Sequence, residues 1–171
     1  KEARSENYQN WAKNVADNAQ ALAEECQKLG MVLQTGGTDN HLMLIDTTTF
    51  GLTGKQAEAA MFRCGVTLNA NALPFDKNGP WWTSGIRVGT PAVTTLGMTK
   101  EDMKEIASII NLVLQGTKPG LTKEGKPAKG KIEIDAAVEE EGKKRVNALL
   151  SKYVLYPELD LDFLKAEFVK D

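Results

Sequence analysis

An arginine between two glycines is the feature of this sequence that most suggests binding chemistry. Residues 81–95 read WWTSGIRVGTPAVTT, and their middle has the pattern of a short strand with Gly85, Arg87 and Gly89 on one face. A guanidinium is a planar group whose paired donors bind a carboxylate or phosphate through two hydrogen bonds. Glycine within a strand often marks the close approach of a ligand or of another backbone. The pattern is therefore typical of an anion site at Arg87, with open space on either side; the alternative is an arginine in a surface ion pair.

The composition narrows the classes of function. The 171 residues are 42% hydrophobic and 26% charged, as in one soluble globular domain, and the net charge of −2 gives no general attraction to nucleic acid or anionic membranes. No apolar run approaches the roughly 20 residues that span a bilayer, and no secretory signal is visible. A single histidine argues against the common multi-histidine metal sites. Cys26 and Cys64 lack metal-type spacing and a disulfide framework, which favours a reducing, cytoplasmic setting.

The periodicity of apolar residues predicts the elements that position Arg87. Helical spacing predicts helices over about 6–29, 53–64, 98–114 and 135–153, and a short helix in the tail. Strands are predicted over 31–35, 41–47, 66–69 and through Arg87. This order predicts an α/β fold, a two-layer sandwich in which helices cover one face of a small, mostly antiparallel sheet. Arg87 would lie on the uncovered face.

The composition changes after residue 115. Residues 116–131 read GTKPGLTKEGKPAKGK, are rich in glycine, lysine and proline, and lack periodicity, which predicts a flexible linker. The chain is therefore divided into a domain over residues 1–115, a linker over 116–131 and a helical C-terminal extension over 132–171.

Four segments in chain order carry a resemblance to a known family. They are GGTDNH at 36–41, LTGK at 52–55, NANALPFD at 69–76 and TSGIRVGTPA at 83–92. Together they closely resemble the C-terminal domain of serine hydroxymethyltransferase over about residues 8–114, and more loosely into the YPEL that begins at Tyr156. The resemblance implies the C-terminal domain of the aspartate-aminotransferase-like fold. It also implies a homodimeric enzyme that interconverts serine and glycine, with pyridoxal phosphate as cofactor and tetrahydrofolate as cosubstrate.

The resemblance also implies roles for individual residues. Arg87 matches the arginine that binds the α-carboxylate of the amino-acid substrate, in agreement with the interpretation from the residues alone. Asn71 matches the asparagine that contacts the folate pteridine, whereas the residues alone favour an asparagine that caps a turn. Gly79, Pro80 and Trp81 match the loop that lines the folate site, although many relatives have phenylalanine at the position of Trp81.

Other parts of the family pattern are missing from this sequence. No lysine matches the motif of the Schiff-base lysine, and the pyridine-binding aspartate, the stacked histidine and the phosphate-binding residues have no counterpart. His41, the single histidine, stands where a turn enters a strand, which favours a turn or packing role over acid–base chemistry.

We therefore expect no catalytic residue in this segment and no activity for it alone, as the C-terminal part of a larger enzyme. Two alternatives stay open. One is a free-standing, non-catalytic anion-binding module. The other is a threonine aldolase of the same fold, against which the folate-loop residues argue.

Overall fold

The computed structural model of the chain describes residues 1–156 and 158–168. Its α-helices are α1 (Glu6–Lys28), α2 (Gly54–Arg63), α3 (Gly79–Trp82), α4 (Pro91–Thr95), α5 (Lys100–Gln115), α6 (Ala136–Leu150) and α7 (Leu161–Phe168). Its strands are β1 (Leu42–Asp46), β2 (Asn69–Asn71), β3 (Gly85–Gly89), β4 (Thr117–Leu121) and β5 (Pro127–Ile134). None of the helices in these ranges is both long and apolar enough to cross a membrane.

The main sheet has three strands in the order β1-β3-β2, and both pairs are antiparallel. Alternation along β3 buries Ile86 and Val88 against the helices and leaves Arg87 exposed. The buried face joins one hydrophobic cluster with apolar residues of α1, α2 and α5, including Leu22, Met61 and Ile110. The predicted two-layer α/β sandwich with a small antiparallel sheet is confirmed.

Polar caps explain where the long helices begin. Ser5 accepts a hydrogen bond from the Tyr8 N–H at the start of α1, so this helix is capped. Thr53 and Gln56 form a capping box at the start of α2, in which each side chain accepts a hydrogen bond from the backbone N–H of the other residue. These side-chain bonds satisfy N–H groups that have no partner within the helix.

Two of the predicted strands are shorter or displaced. Residues 31–35 contribute only an isolated bridge between Leu33 and Ile45, because the chain turns away at Gly36, whose N–H already bonds to the Leu33 carbonyl. β2 starts at Asn69 rather than at residue 66, since its ladder with β3 begins where Asn69 lies opposite Arg87. The short helices α3 and α4 were not predicted, and each has proline in its first turn.

The prediction of a flexible linker over 116–131 is wrong, because this stretch forms most of an antiparallel hairpin of β4 and β5. Thr117 is buried and Ile132 and Ile134 pack against the core, while the lysines point to solvent. The turn is closed by hydrogen bonds between Thr122 and Lys126. β5 runs to Ile134, so the helical extension begins with α6 and not at residue 132. The division of the chain into a domain over 1–115 and a C-terminal extension stays a prediction. Of the extension and the YPEL stretch, Pro157 and residues 169–171 lie outside the described residues.

Candidate functional site

The open face of the sheet is built around Arg87. We use this name for the side of the sheet turned away from the helices; its strand residues are Leu42, Leu44, Asp46, Asn69, Asn71, Gly85, Arg87 and Gly89. Arg87 lies directly between Leu44 of β1 and Asn69 of β2. Its Nε donates a hydrogen bond of 3.0 Å to Asn69 Oδ1. Within the described ranges its two terminal nitrogens have no hydrogen-bond acceptor, and no carboxylate pairs with it. The alternative of a surface ion pair is therefore not what the structure shows.

Asn69 fixes the direction in which the arginine points. Its Nδ2 donates to the Ala70 carbonyl at 2.9 Å, which turns Oδ1 towards Arg87. A guanidinium held at Nε presents its two terminal nitrogens together on the opposite side, in the geometry that suits a carboxylate. The sequence reasoning missed Asn69. The signal was its spacing of two from Asn71, which puts both side chains on the face of Arg87.

The glycines beside Arg87 do not leave the open space that the sequence suggested. Gly85 is buried, and a Cβ there would lie 2.5 Å from Leu73 Cδ2 and 3.0 Å from the Ile45 carbonyl oxygen. At Gly89 a Cβ would lie 3.1 Å from the His41 carbonyl oxygen. A side chain at Gly85 would therefore force its neighbours to shift, whereas Gly89 leaves only a tight fit. The side chain of the open face that is most accessible to a ligand is that of Arg87.

Asp76 holds the loop between β2 and β3 in place. Its Oδ2 accepts from the N–H groups of Leu73 (3.0 Å) and Ser84 (2.7 Å). Its Oδ1 accepts from the Asn78 N–H (2.8 Å) and the Ser84 hydroxyl (2.6 Å). Burial alone would raise the pKa of the Asp76 carboxyl, but the Ser84 hydroxyl and three backbone N–H groups outweigh it and lower the pKa below its ordinary value. The carboxylate thus ties both ends of the loop together, a role that the sequence did not reveal.

The residues matched to a folate site lie on this loop and at its start. Asn71 faces the same side as Arg87, opposite Gly85. Its Nδ2 donates to the Ala72 carbonyl at 2.7 Å, whereas its Oδ1 has no donor among the residues that the structure describes. Gly79 has a φ of +73°, a conformation that favours glycine, and Pro80 follows it in α3. Trp81 is 74% exposed, so its indole is available to a ligand.

The chain enters β3 through a strained residue. Thr83 has φ 55° and ψ 166°, a conformation that is nearly confined to glycine. Its buried hydroxyl is without a hydrogen-bond partner in the described part of the chain. Its carbonyl accepts a hydrogen bond from the Gly54 N–H at 3.0 Å, and a Cβ on Gly54 would collide with the Thr83 hydroxyl at 2.1 Å. The first residue of α2 is therefore in close contact with Thr83, at the entry to β3.

His41 takes no part in the open face. Its imidazole is exposed and makes no hydrogen bond to the described residues, so a packing role is wrong. Its carbonyl accepts from the Thr90 N–H at 3.1 Å, and the turn before it is closed by Asn40, whose Oδ1 accepts from the Leu42 N–H at 2.9 Å. Of the two roles predicted for His41, the one in the turn is left.

The described residues do not fit the role of holding pyridoxal phosphate. A lysine that forms a Schiff base is activated by burial in an apolar pocket, and every lysine whose side chain is described is exposed. Cys26 is fully buried, and burial, together with the nearby Glu25 charge, raises the pKa of its thiol to about 12, which disfavours the reactive thiolate. No cluster of three or more histidine, cysteine, aspartate or glutamate side chains that could bind a metal occurs within 1–156 and 158–168.

The fold and the open face define a small α/β domain with an exposed arginine whose terminal nitrogens have no acceptor among the described residues. The family model described as serine hydroxymethyltransferase matches residues 1–110. The chain is 53% identical over 170 residues to the serine hydroxymethyltransferase of Treponema pallidum (strain Nichols), covering 99% of this chain and 30% of that protein. It is 48% identical over 160 residues to that of Salinispora tropica, covering 94% of this chain and 34% of that protein. The chain therefore belongs to the serine hydroxymethyltransferase family, and it spans about a third of the length of the curated relatives that it matches.

Proposed function

We propose that the complete protein interconverts serine and glycine, passing the one-carbon unit between serine and tetrahydrofolate. In this proposal Arg87 binds the α-carboxylate of the amino acid, and Asn71, Gly79, Pro80 and Trp81 form part of the folate site. The chemistry at the amino acid's α-carbon is supplied by pyridoxal phosphate, which is held by residues other than those described here. The segment alone is inactive, and the complete protein is a cytoplasmic homodimer.

The observation that carries the proposal is the state of Arg87. Its guanidinium is exposed, is oriented through Nε by Asn69, and has both terminal nitrogens available within the described part of the chain. A carboxylate bound to both nitrogens cannot rotate about the bond that joins it to the amino acid. Holding the carboxylate at two points therefore fixes the direction of the remaining bonds at the α-carbon, which is how a binding residue contributes to rate.

The folate part of the proposal is supported by the surroundings of Asn71 and Trp81. The Asn71 Oδ1 faces the same side of the sheet as Arg87 and is available as an acceptor for a ring N–H. Trp81 exposes a flat apolar surface of the kind on which heterocycles stack. One acceptor and one aromatic wall together suit a planar ring that carries N–H donors along its edge.

The test is the substitution Arg87→Lys in the complete protein. Lysine keeps the charge but loses the planar two-point contact, so the dissociation constant for serine should rise about tenfold or more. Arg4→Lys, an exposed arginine of the first turn of the chain, is the matched control and should bind serine as the wild type does. Serine affinity near the wild-type value in Arg87→Lys would refute the assignment.

Two further measurements separate the alternatives. Serine turnover that depends on tetrahydrofolate distinguishes the proposed enzyme from a threonine aldolase. The mass of the native polypeptide under denaturing conditions distinguishes it from a free-standing module, which would have the 18.7 kDa of this sequence.

A further inference from the structure

The β4–β5 hairpin is anchored to the start of α2 by a buried glutamine. The Gln56 side chain is 1% exposed, and its Nε2 donates to two hairpin carbonyls, that of Ala128 at 2.7 Å and that of Lys131 at 2.8 Å. The Thr53 hydroxyl donates to a third, that of Lys129, at 2.8 Å. A buried amide whose donors are both used holds its partners tightly, because either bond left unmade would be costly. The hairpin is therefore an ordered part of the domain.

The same hairpin packs on the segment that carries Trp81. A Cβ on Gly130 would lie 2.7 Å from Cζ3 and 3.1 Å from Cη2 of Trp82, so the six-membered part of that indole lies against the hairpin backbone. Trp82 is half-buried and ends α3, while its neighbour Trp81 faces outwards. One residue of this tryptophan pair is thus held by the hairpin, and the other is exposed. The hairpin lies beyond residue 110, where the family match ends.

We propose that the β4–β5 hairpin positions the folate-binding wall: Gly130 admits the Trp82 indole, and Trp82 in turn sets the position of Pro80 and Trp81. This inference rests on the proposed function, since it assigns the hairpin to the folate half of that site. It makes Trp82 and Gly130 positioning residues that do not touch the ligand. The amino-acid half, at Arg87, is held separately through Asn69.

The separation of the two halves gives the experiment its readout. In the complete protein, Gly130→Ala forces the indole or the hairpin to move, and the KM for tetrahydrofolate should rise about fivefold or more. The dissociation constant for serine should stay within about twofold of the wild type, because Arg87 has its own support. Thr122→Ala is the control: it removes the hydroxyl that accepts from the Lys126 N–H, while the backbone bond of 2.8 Å from the Thr122 N–H to the Lys126 carbonyl keeps the hairpin turn closed. It should leave both values unchanged.

A second substitution tests the contact itself. Trp82→Phe removes the ring atoms that meet Gly130, and the combination of Trp82→Phe with Gly130→Ala should restore part of the folate affinity, because the smaller ring makes room for the added methyl group. A KM for tetrahydrofolate that is the same in Gly130→Ala and Thr122→Ala would overturn the inference while leaving the proposed function intact. A Gly130→Ala protein that loses serine and folate binding together would also overturn it. Wild-type protein without folate-dependent serine turnover would refute the proposed function, and the inference with it.

Discussion

Asn69 should control amino-acid affinity although it is not expected to touch the amino acid. Its Oδ1 accepts the Arg87 Nε hydrogen at 3.0 Å, and its Nδ2 is tied to the Ala70 carbonyl. Asn69→Ala leaves the arginine exposed and charged but removes the group that orients it. The substrate would then have to order the guanidinium as it binds.

The size of the effect follows from that ordering. An arginine side chain carries about 2 kcal/mol of rotamer entropy, and a bond at Nε removes only part of it before binding. If Asn69 accounts for half, its loss costs about 1 kcal/mol, and the dissociation constant for serine rises about fivefold. Asn69→Asp should weaken binding more than this, because a carboxylate beside Nε pairs with the guanidinium and repels the substrate carboxylate.

Direct titration of the complete protein with serine measures these constants. Asn71→Ala is the matched control, because Asn71 lies on the same strand and the same face but opposite Gly85. It should leave serine affinity within about twofold of the wild type and weaken folate binding instead. Equal serine constants for Asn69→Ala and Asn71→Ala, or full rescue by Asn69→Asp, would contradict the orienting role.

Two other substitutions test the junction between α2 and the loop. Gly54→Ala places a Cβ 2.1 Å from the Thr83 hydroxyl and 2.3 Å from the Gly85 carbonyl oxygen, so the free energy of unfolding in denaturant should fall by about 3 kcal/mol; a loss below about 1 kcal/mol would show that the junction can relax. The lowered pKa of Asp76 means that its charged form stabilises the fold above the ordinary aspartate range, and that this contribution is lost as the pH falls through the lowered pKa. The stability advantage of wild type over Asp76→Asn should therefore shrink as the pH falls below about 4, the ordinary aspartate pKa, measured by denaturant unfolding at each pH. A constant difference for Asp76→Asn would contradict this account.

The position of Arg87 could be predicted because strand alternation leaves no choice. Ile86 and Val88 are buried together in the core, so the residue between them must face the other way. The meaning of the flanking glycines could not be predicted in the same way. Gly85 has no side chain because Leu73 occupies the space, and nothing local to residues 84–89 reveals that neighbour.

The hairpin was missed because its composition hides its pattern. Lysine, glycine and proline dominate residues 116–131, and the alternation that marks a strand appears only in the short run from Lys131 to Ile134. The bonds that hold it come from Gln56 and Thr53, more than seventy residues earlier in the chain. A segment with the composition of a solvated linker can still form two strands where buried side chains on another element donate hydrogen bonds to its carbonyls.

A short chain of contacts fixes the loop between β2 and β3 to the start of β3. Leu73 covers Gly85, the Leu73 N–H binds Asp76, and Asp76 binds the backbone and the hydroxyl of Ser84, which directly precedes Gly85. The loop that carries Gly79, Pro80 and Trp81 is thereby fixed to the end of β3 that begins at Gly85.

Thr83 lies between α3 and β3. Its strained backbone persists because the Gly54 backbone packs closely against its hydroxyl and the Gly54 N–H donates a hydrogen bond to its carbonyl. Strain of this kind survives only where the surroundings over-determine a conformation. Thr83 lies between Trp81 and Arg87 in the chain, so its fixed backbone helps to set how the loop leads into β3.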